Sequence, residues 1–184
     1  DLKGSTGFPS IFRTSTLASF LTTALRRTKK AACLHPLAIY DAPVSTDLAL
    51  FRKVAERVPG VAIEDRSQAL GAMRLVKSPT ELALMRRAAD ITAAGFAAAM
   101  PHIRPGSSEG AVQRALETTY AQGGASGTAY NSIVGSGMNS TVLHYSANAA
   151  ELKRADLLVI DSGAEFAGYA CDVTRTYPVS GTFT

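Results

Sequence analysis

Residues 158–181 read LVIDSGAEFAGYACDVTRTYPVSG: two apolar runs flank a turn of small residues, and each carries one aspartate, Asp161 and Asp172. Short runs of this composition, punctuated by glycine, are β-strands, and the pair reads as an antiparallel hairpin. If the loop is Phe166-Ala167, the two aspartates stand directly opposite, with Cβ atoms about 5 Å apart. If it is Ala167-Gly168, they become diagonal neighbours on one face. An odd-numbered loop sends them to opposite faces, because side chains alternate with period two. Either even register brings the carboxylates together.

Leu158, Val159, Ile160 and Val173 are apolar on both faces of the hairpin, which is therefore expected to be covered on both sides. Two carboxylates facing each other there repel, and each needs its charge compensated or its proton retained. Arg175 lies on the opposite face from Asp172 and is not the counter-ion. Divalent metal answers the need: paired carboxylates bridge hard cations, and oxygen-rich donors favour Mn, Mg or Fe-like ions over thiolate-bound zinc. The spacing alone leaves a plainer alternative open, in which one aspartate caps a turn or pairs with a distant arginine and the other is exposed.

The rest of the composition narrows the class. The chain has 184 residues, 46% hydrophobic and 18% charged, as in an ordinary globular protein. No apolar run approaches the roughly 18 residues of a membrane span, and DLKGSTGFPS at the start lacks the apolar core of a signal peptide. A soluble, cytoplasmic protein is expected. Cys33 and Cys171 show no CxxC spacing and are expected as buried thiols. The net charge of +4 has one dense cluster, RRTKK at 26–30. With no aromatic interleaving or reader motif, that cluster is a solvated helix end and not a nucleic-acid site.

Two architectures follow one another along the chain. Residues 14–28 repeat apolar positions at helical spacing, with Leu17, Phe20, Leu21 and Leu25 on one face. AACLHPLAIYD reads as a buried strand interrupted by Pro36, STDLALFRKVAERV as a helix capped by Ser45 or Thr46, and GVAIED as another strand. This alternation implies an α/β domain with a largely parallel sheet. At Ser78 the pattern changes, for Ser78 as N-cap, Pro79 at the first helical position and Glu81 at the third open a helix running to about residue 100. Ser107 or Ser108 opens the next, to about Gln122. From Gly123 onward, glycine, serine and β-branched residues read as antiparallel strands. The expected domains are 1–74 and 75–184, the second α+β in character.

YNSIVGSGMNSTVLHY (130–145) followed by LLVIDSGAEFAGYACDVTRTYPVSGTFT (157–184) resembles the pita-bread metallopeptidase family of aminopeptidase P, prolidase, methionine aminopeptidase and creatinase. SGMNSTVLHY with DVTRTYPVSG is most similar to the Xaa-Pro aminopeptidases. The helix start KSPTELALMRRAADI also fits the opening of their catalytic domain, and residues 1–72 resemble, less specifically, the latter part of the small N-terminal α/β domain. The resemblance implies a site of two metal ions, of the manganese type with cobalt, zinc or iron as alternatives, held by two Asp, one His and two Glu. Asp161 and Asp172 match the first two ligands. The other three are expected C-terminal to residue 184, so the chain is expected to be a piece of a longer protein and inactive by itself.

A lone histidine in an apolar run is ordinarily a core residue, but His144 in VLHY matches the family histidine that stands beside the metals and contacts substrate. His35 and His102 match nothing catalytic and are expected at a strand end and in a loop. The implied reaction is hydrolysis of the N-terminal Xaa-Pro bond of a peptide with proline second, by a homo-oligomer, dimer or tetramer. Prolidase, which cleaves Xaa-Pro dipeptides, is the alternative in the same chemistry. A non-catalytic pita-bread domain that binds a protein partner is the alternative from another class. HExxH and GxSxG are missing, and GSGMNS lacks the third glycine of a dinucleotide loop.

Overall fold

A computed structural model of the chain describes residues 2–34 and 43–183. They form two compact units, Asp1–Val76 and Lys77–Thr184. The first contains α1 (Leu2–Thr6), a 3-10 turn (Thr14–Thr16), α2 (Leu17–Thr28), β1 (Lys30–Cys33), α3 (Thr46–Ala55), β2 (Ala62–Asp65) and α4 (Ser67–Leu75). β1 and β2 pair in parallel with Lys30 beside Ala62. Ser45 caps α3 through its hydroxyl, which accepts from the Leu48 N–H. Leu25, Ala31, Val54 and Val58 make the core of this unit.

One local expectation is corrected. Of the face expected on α2, only Leu25 is buried, while Leu17 and Phe20 are 47% and 59% exposed and the Phe20 ring lies tilted at 49° against Phe12 with centroids 5.3 Å apart. α1 and α4 were not foreseen; α4 buries no residue, so it carries no apolar stripe to read. The strand expected across Pro36 is described only as far as Cys33, and His35 and Pro36 lie outside the described residues.

In the second unit, α5 (Pro79–Ala99) starts on a complete capping box: the Ser78 hydroxyl accepts from the Glu81 N–H and the Glu81 carboxylate accepts from the Ser78 N–H at 2.7 Å. Ala88, Ile91, Thr92, Gly95, Phe96 and Ala99 recur at helical spacing and form its buried face. A 3-10 turn, Met100–His102, ends it with His102 exposed. α6 (Glu109–Gln122), capped by Ser108, presents Val112, Leu116 and Tyr120 to α5. The two helices approach so closely that a Cβ on Gly95 would lie 2.2 Å from the Tyr120 ring. Under them run β3 (Gly127–Thr128), β4 (Ile133–Ser136), a 3-10 turn (Gly137–Thr141), β5 (Leu157–Ser162), β6 (Ala164–Phe166), β7 (Tyr169–Ala170) and β8 (Val173–Pro178).

These strands form two antiparallel sheets, β3-β6-β7 and β4-β5-β8. Val134, Leu158, Ile160, Ala164 and Val179 close the core against Ile91, Leu116 and Tyr120. Coverage is one-sided, contrary to expectation: β5 alternates buried and less buried residues, and the middle of β8 is exposed among the described residues. Cys33 is buried, but Cys171 only half so.

Candidate metal centre

The loop joining β6 and β7 is Ala167-Gly168, both with positive φ, at 50° and 82°, as a tight hairpin turn requires. Glu165 therefore pairs with Ala170, and farther along Asp161 pairs with Thr174 and Ser162 with Val173. The second even register is the one adopted. Asp161 and Asp172 are diagonal neighbours on one face, and the directly opposed arrangement does not occur.

The hairpin is also broken where the acidic pair sits. In the same register Asp172 faces Gly163, whose missing Cβ would lie 1.7 Å from the Cys171 carbonyl oxygen. No other residue tolerates that approach. Cys171 still donates to the Ala164 carbonyl, but the Ala164 N–H is taken by the Thr92 hydroxyl of α5 at 3.0 Å. Gly163 and Thr92 together divide one long hairpin into β5/β8 and β6/β7, with Asp172 at the division.

A second irregularity brings in a residue that sequence reasoning had not assigned. The Ala129 N–H donates to Gly163, and Ile133 pairs with Asp161. Tyr130, Asn131 and Ser132 thus stand where the partner strand has only Ser162. The excursion frees Tyr130 from the ladder and sends its phenol over the aspartates, 2.5 Å from Asp161 Oδ1 and 2.9 Å from Asp172 Oδ1. Both carboxylates converge on a single oxygen. Burial, followed by the hydrogen bonds and negative charge of the two aspartates, holds the Tyr130 phenol well above its ordinary pKa, so it is a neutral donor. Having one proton, it donates to one carboxylate at a time.

Tyr130, Asn131, Ile133, His144, Ser146, Asp161 and Asp172 line a cleft of about 490 Å³. The structure thus brings all three sequence-predicted residues to one place. His144 is neither in a strand nor in the core: it is exposed, with a left-handed backbone at φ 54°. Arg175 is exposed and its guanidinium donates to the Thr174 carbonyl, away from the acidic pair. Among the described residues, the ion pairs are Lys30–Glu64 and Arg66–Glu64, so neither aspartate of the cleft has a basic partner. Two uncompensated carboxylates meeting at one point form a hard-oxygen donor pair that a divalent cation fits. Among the described residues, no group of three or more His, Cys, Asp or Glu is placed to hold a metal ion.

The model of metallopeptidase family M24 matches residues 83–184. The chain belongs to this family. The Xaa-Pro aminopeptidase of Escherichia coli is 47% identical over 112 residues, which cover 61% of this chain and 25% of that protein. The structure of proline aminopeptidase P II from Yersinia pestis aligns with 99% of this chain at 32% identity and a TM-score of 0.83. Zinc-substituted E. coli aminopeptidase P in complex with product aligns equally widely, at a TM-score of 0.84. These likenesses bear out the pita-bread metallopeptidase fold expected from the sequence. The chain spans about a quarter of the length of the curated M24 relatives it matches, and 42% of each of these two solved structures.

Proposed function

We propose that this chain belongs to an aminopeptidase that hydrolyses the N-terminal Xaa-Pro bond of peptides, with Asp161 and Asp172 as two of its metal ligands. The observation that carries the reading is the convergence of both carboxylates on the Tyr130 hydroxyl, inside a cleft that His144 also lines. The M24 relatives named above, called Xaa-Pro aminopeptidase and aminopeptidase P, support the choice of substrate.

In this reading Asp161 and Asp172 hold a pair of divalent cations, manganese before cobalt, zinc or iron, with one His and two Glu contributed from outside this chain. Such cations, when bound, supply Lewis acidity and lower the pKa of a coordinated water towards neutrality. The work of the residues present is distinct from that. Tyr130, staying protonated, orients the carboxylate to which it donates, Asp161 or Asp172 but not both at once. His144 offers a hydrogen bond to the scissile carbonyl or to the oxygen that becomes negative as the carbonyl is attacked. Asn131 and Ser146 add neutral polar edges to the cleft. The enzyme is read as cytoplasmic and homo-oligomeric, dimer or tetramer; no helix among the described residues is long and apolar enough to cross a membrane.

The test uses the full-length protein. Elemental analysis is expected to find about two manganese-type ions per chain and assays to find release of the first residue from Xaa-Pro-Xaa tripeptides. Asp172→Asn is expected to abolish both. Full activity in that variant overturns the assignment of Asp172. Cleavage of Xaa-Pro dipeptides alone replaces the aminopeptidase with a prolidase, and a metal-free, inactive protein replaces it with a binding domain.

A further inference from the structure

Glu109, the first residue of α6, is completely buried, and among the described residues it has no basic partner. A buried carboxylate without a cation is costly unless donors surround it. Five do. Oε1 accepts from the Ser136 N–H at 2.7 Å, the Ser136 hydroxyl at 2.8 Å and the Asn139 amide at 3.0 Å. Oε2 accepts from the Tyr145 hydroxyl at 2.8 Å and the Ala150 N–H at 2.9 Å. Glu109 returns one bond through its own N–H to the Ala150 carbonyl.

The five donors come from the two sides of a single loop. Ser136 and Asn139 stand where it leaves β4, and Tyr145 and Ala150 where it returns. Between them lies His144, whose imidazole makes no hydrogen bond among the described residues and whose backbone is left-handed, a conformation a β-carbon makes unfavourable. The position of the imidazole is thus set by the backbone turn, and the neighbouring Tyr145 ties that turn to Glu109. Asn148, also buried and left-handed, adds a second fastening: its amide donates to the Ser132 carbonyl and its oxygen accepts from the Val134 N–H.

We propose that Glu109 is a positioning residue for His144, its carboxylate fixing from within the core the strained turn that carries the imidazole into the acidic cleft. The proposal rests on the substrate role read for His144 above. A helix-opening glutamate needs only solvent or a cap; burial beneath five donors from one loop is what a clamp needs.

The experiment again uses the full-length protein. Glu109→Gln cannot satisfy the site: each carboxylate oxygen faces a backbone N–H, so the amide nitrogen meets a donor whichever way it turns. Amide exchange over residues 137–147 is expected to rise about tenfold or more, with α5 unchanged. Hydrolysis of an Xaa-Pro-Xaa peptide is expected to lose about tenfold or more in kcat/KM at unchanged metal content. In a His144→Gln background the same change is expected to cost less than about twofold, because a clamp acting through the imidazole loses its object. A merely structural glutamate gives equal losses in both backgrounds, and that result overturns the proposal, as does unaltered exchange at 137–147. If Glu109→Gln does not fold, Tyr145→Phe removes one donor only and is expected to give about threefold effects in the same readouts. A wild-type protein that cleaves no proline peptide defeats the proposed function instead, and the exchange measurement then decides the clamp.

Discussion

A phenol oxygen that touches two carboxylates can satisfy only one of them, and Tyr130 is in that position between Asp161 and Asp172. Without a cation one contact therefore sets oxygen against oxygen, so under the proposed function the same three residues weaken the metal-free fold. Asp172→Asn removes that conflict, because its amide can donate to the phenol. The variant is expected to lose metal while its chelator-treated form gains about 0.5–1 kcal/mol, a low figure because Asp172 is exposed. Thermal unfolding in chelator checks this, and a metal-free variant less stable than the metal-free parent refutes it. Glu109 is the contrasting carboxylate. Burial pushes its pKa up, but hydrogen bonds from Asn139, Ala150, Ser136 and Tyr145 outweigh that and leave it below its ordinary value of 4.5. A carboxyl depressed on folding stabilises the protein at pH above the unfolded value, and that stability is lost as pH falls through the folded value. The stability gap between the parent and Glu109→Gln is therefore expected to be full above pH 4.5 and to narrow below it, as denaturant unfolding at several pH values can show.

Among the elements, those defined by their immediate neighbours in sequence are the ones a reader of the sequence can place. The capping box at Ser78–Glu81, the hydroxyl caps at Ser45 and Ser108, and the alternation that puts Asp161 and Asp172 on one face all follow from residues a few positions apart. The register does not, since Phe166-Ala167 and Ala167-Gly168 are both two-residue loops, and the choice falls to the positive φ that Gly168 accepts freely. Tyr130 was invisible for a further reason: it meets Asp161 across 31 positions of sequence, and only because three residues bulge opposite Ser162. Gly163 is the element-scale hinge of the site. Replacing it with alanine drives a methyl into the Cys171 carbonyl, which as backbone cannot step aside. Gly163→Ala is expected to cost about 3 kcal/mol or more. Gly95→Ala, where the obstacle is the Tyr120 ring, is expected to cost about 1–3 kcal/mol. Denaturant midpoints rank the two, and a Gly163→Ala protein as stable as the parent removes the hinge from the account.

For the molecule as a whole, the two units differ in how much apolar side chain they bury. Among the described residues, the core of Lys77–Thr184 joins twelve buried residues, including Tyr120, Leu116, Leu152 and Ile160, whereas that of Asp1–Val76 joins Leu25, Ala31, Val54 and Val58. Four buried residues, one of them alanine, are a small core for a unit of this length, and the apolar surface it removes from water is correspondingly small. Among the described residues the sheet of the first unit has two parallel strands, with few ladder bonds to lose on opening. The proposed chemistry meanwhile lies wholly in the second unit, where β5 is paired on both sides and backed by α5 and α6. Cooperative opening is therefore expected to begin in the first unit and to leave the acidic cleft intact. Native-state amide exchange on the 184-residue chain is expected to show β1 and β2 exchanging about 100-fold faster or more than the centre of β5. Matching rates in β1 and β5 would mean that one transition opens both units, and the difference in buried core would then not govern stability.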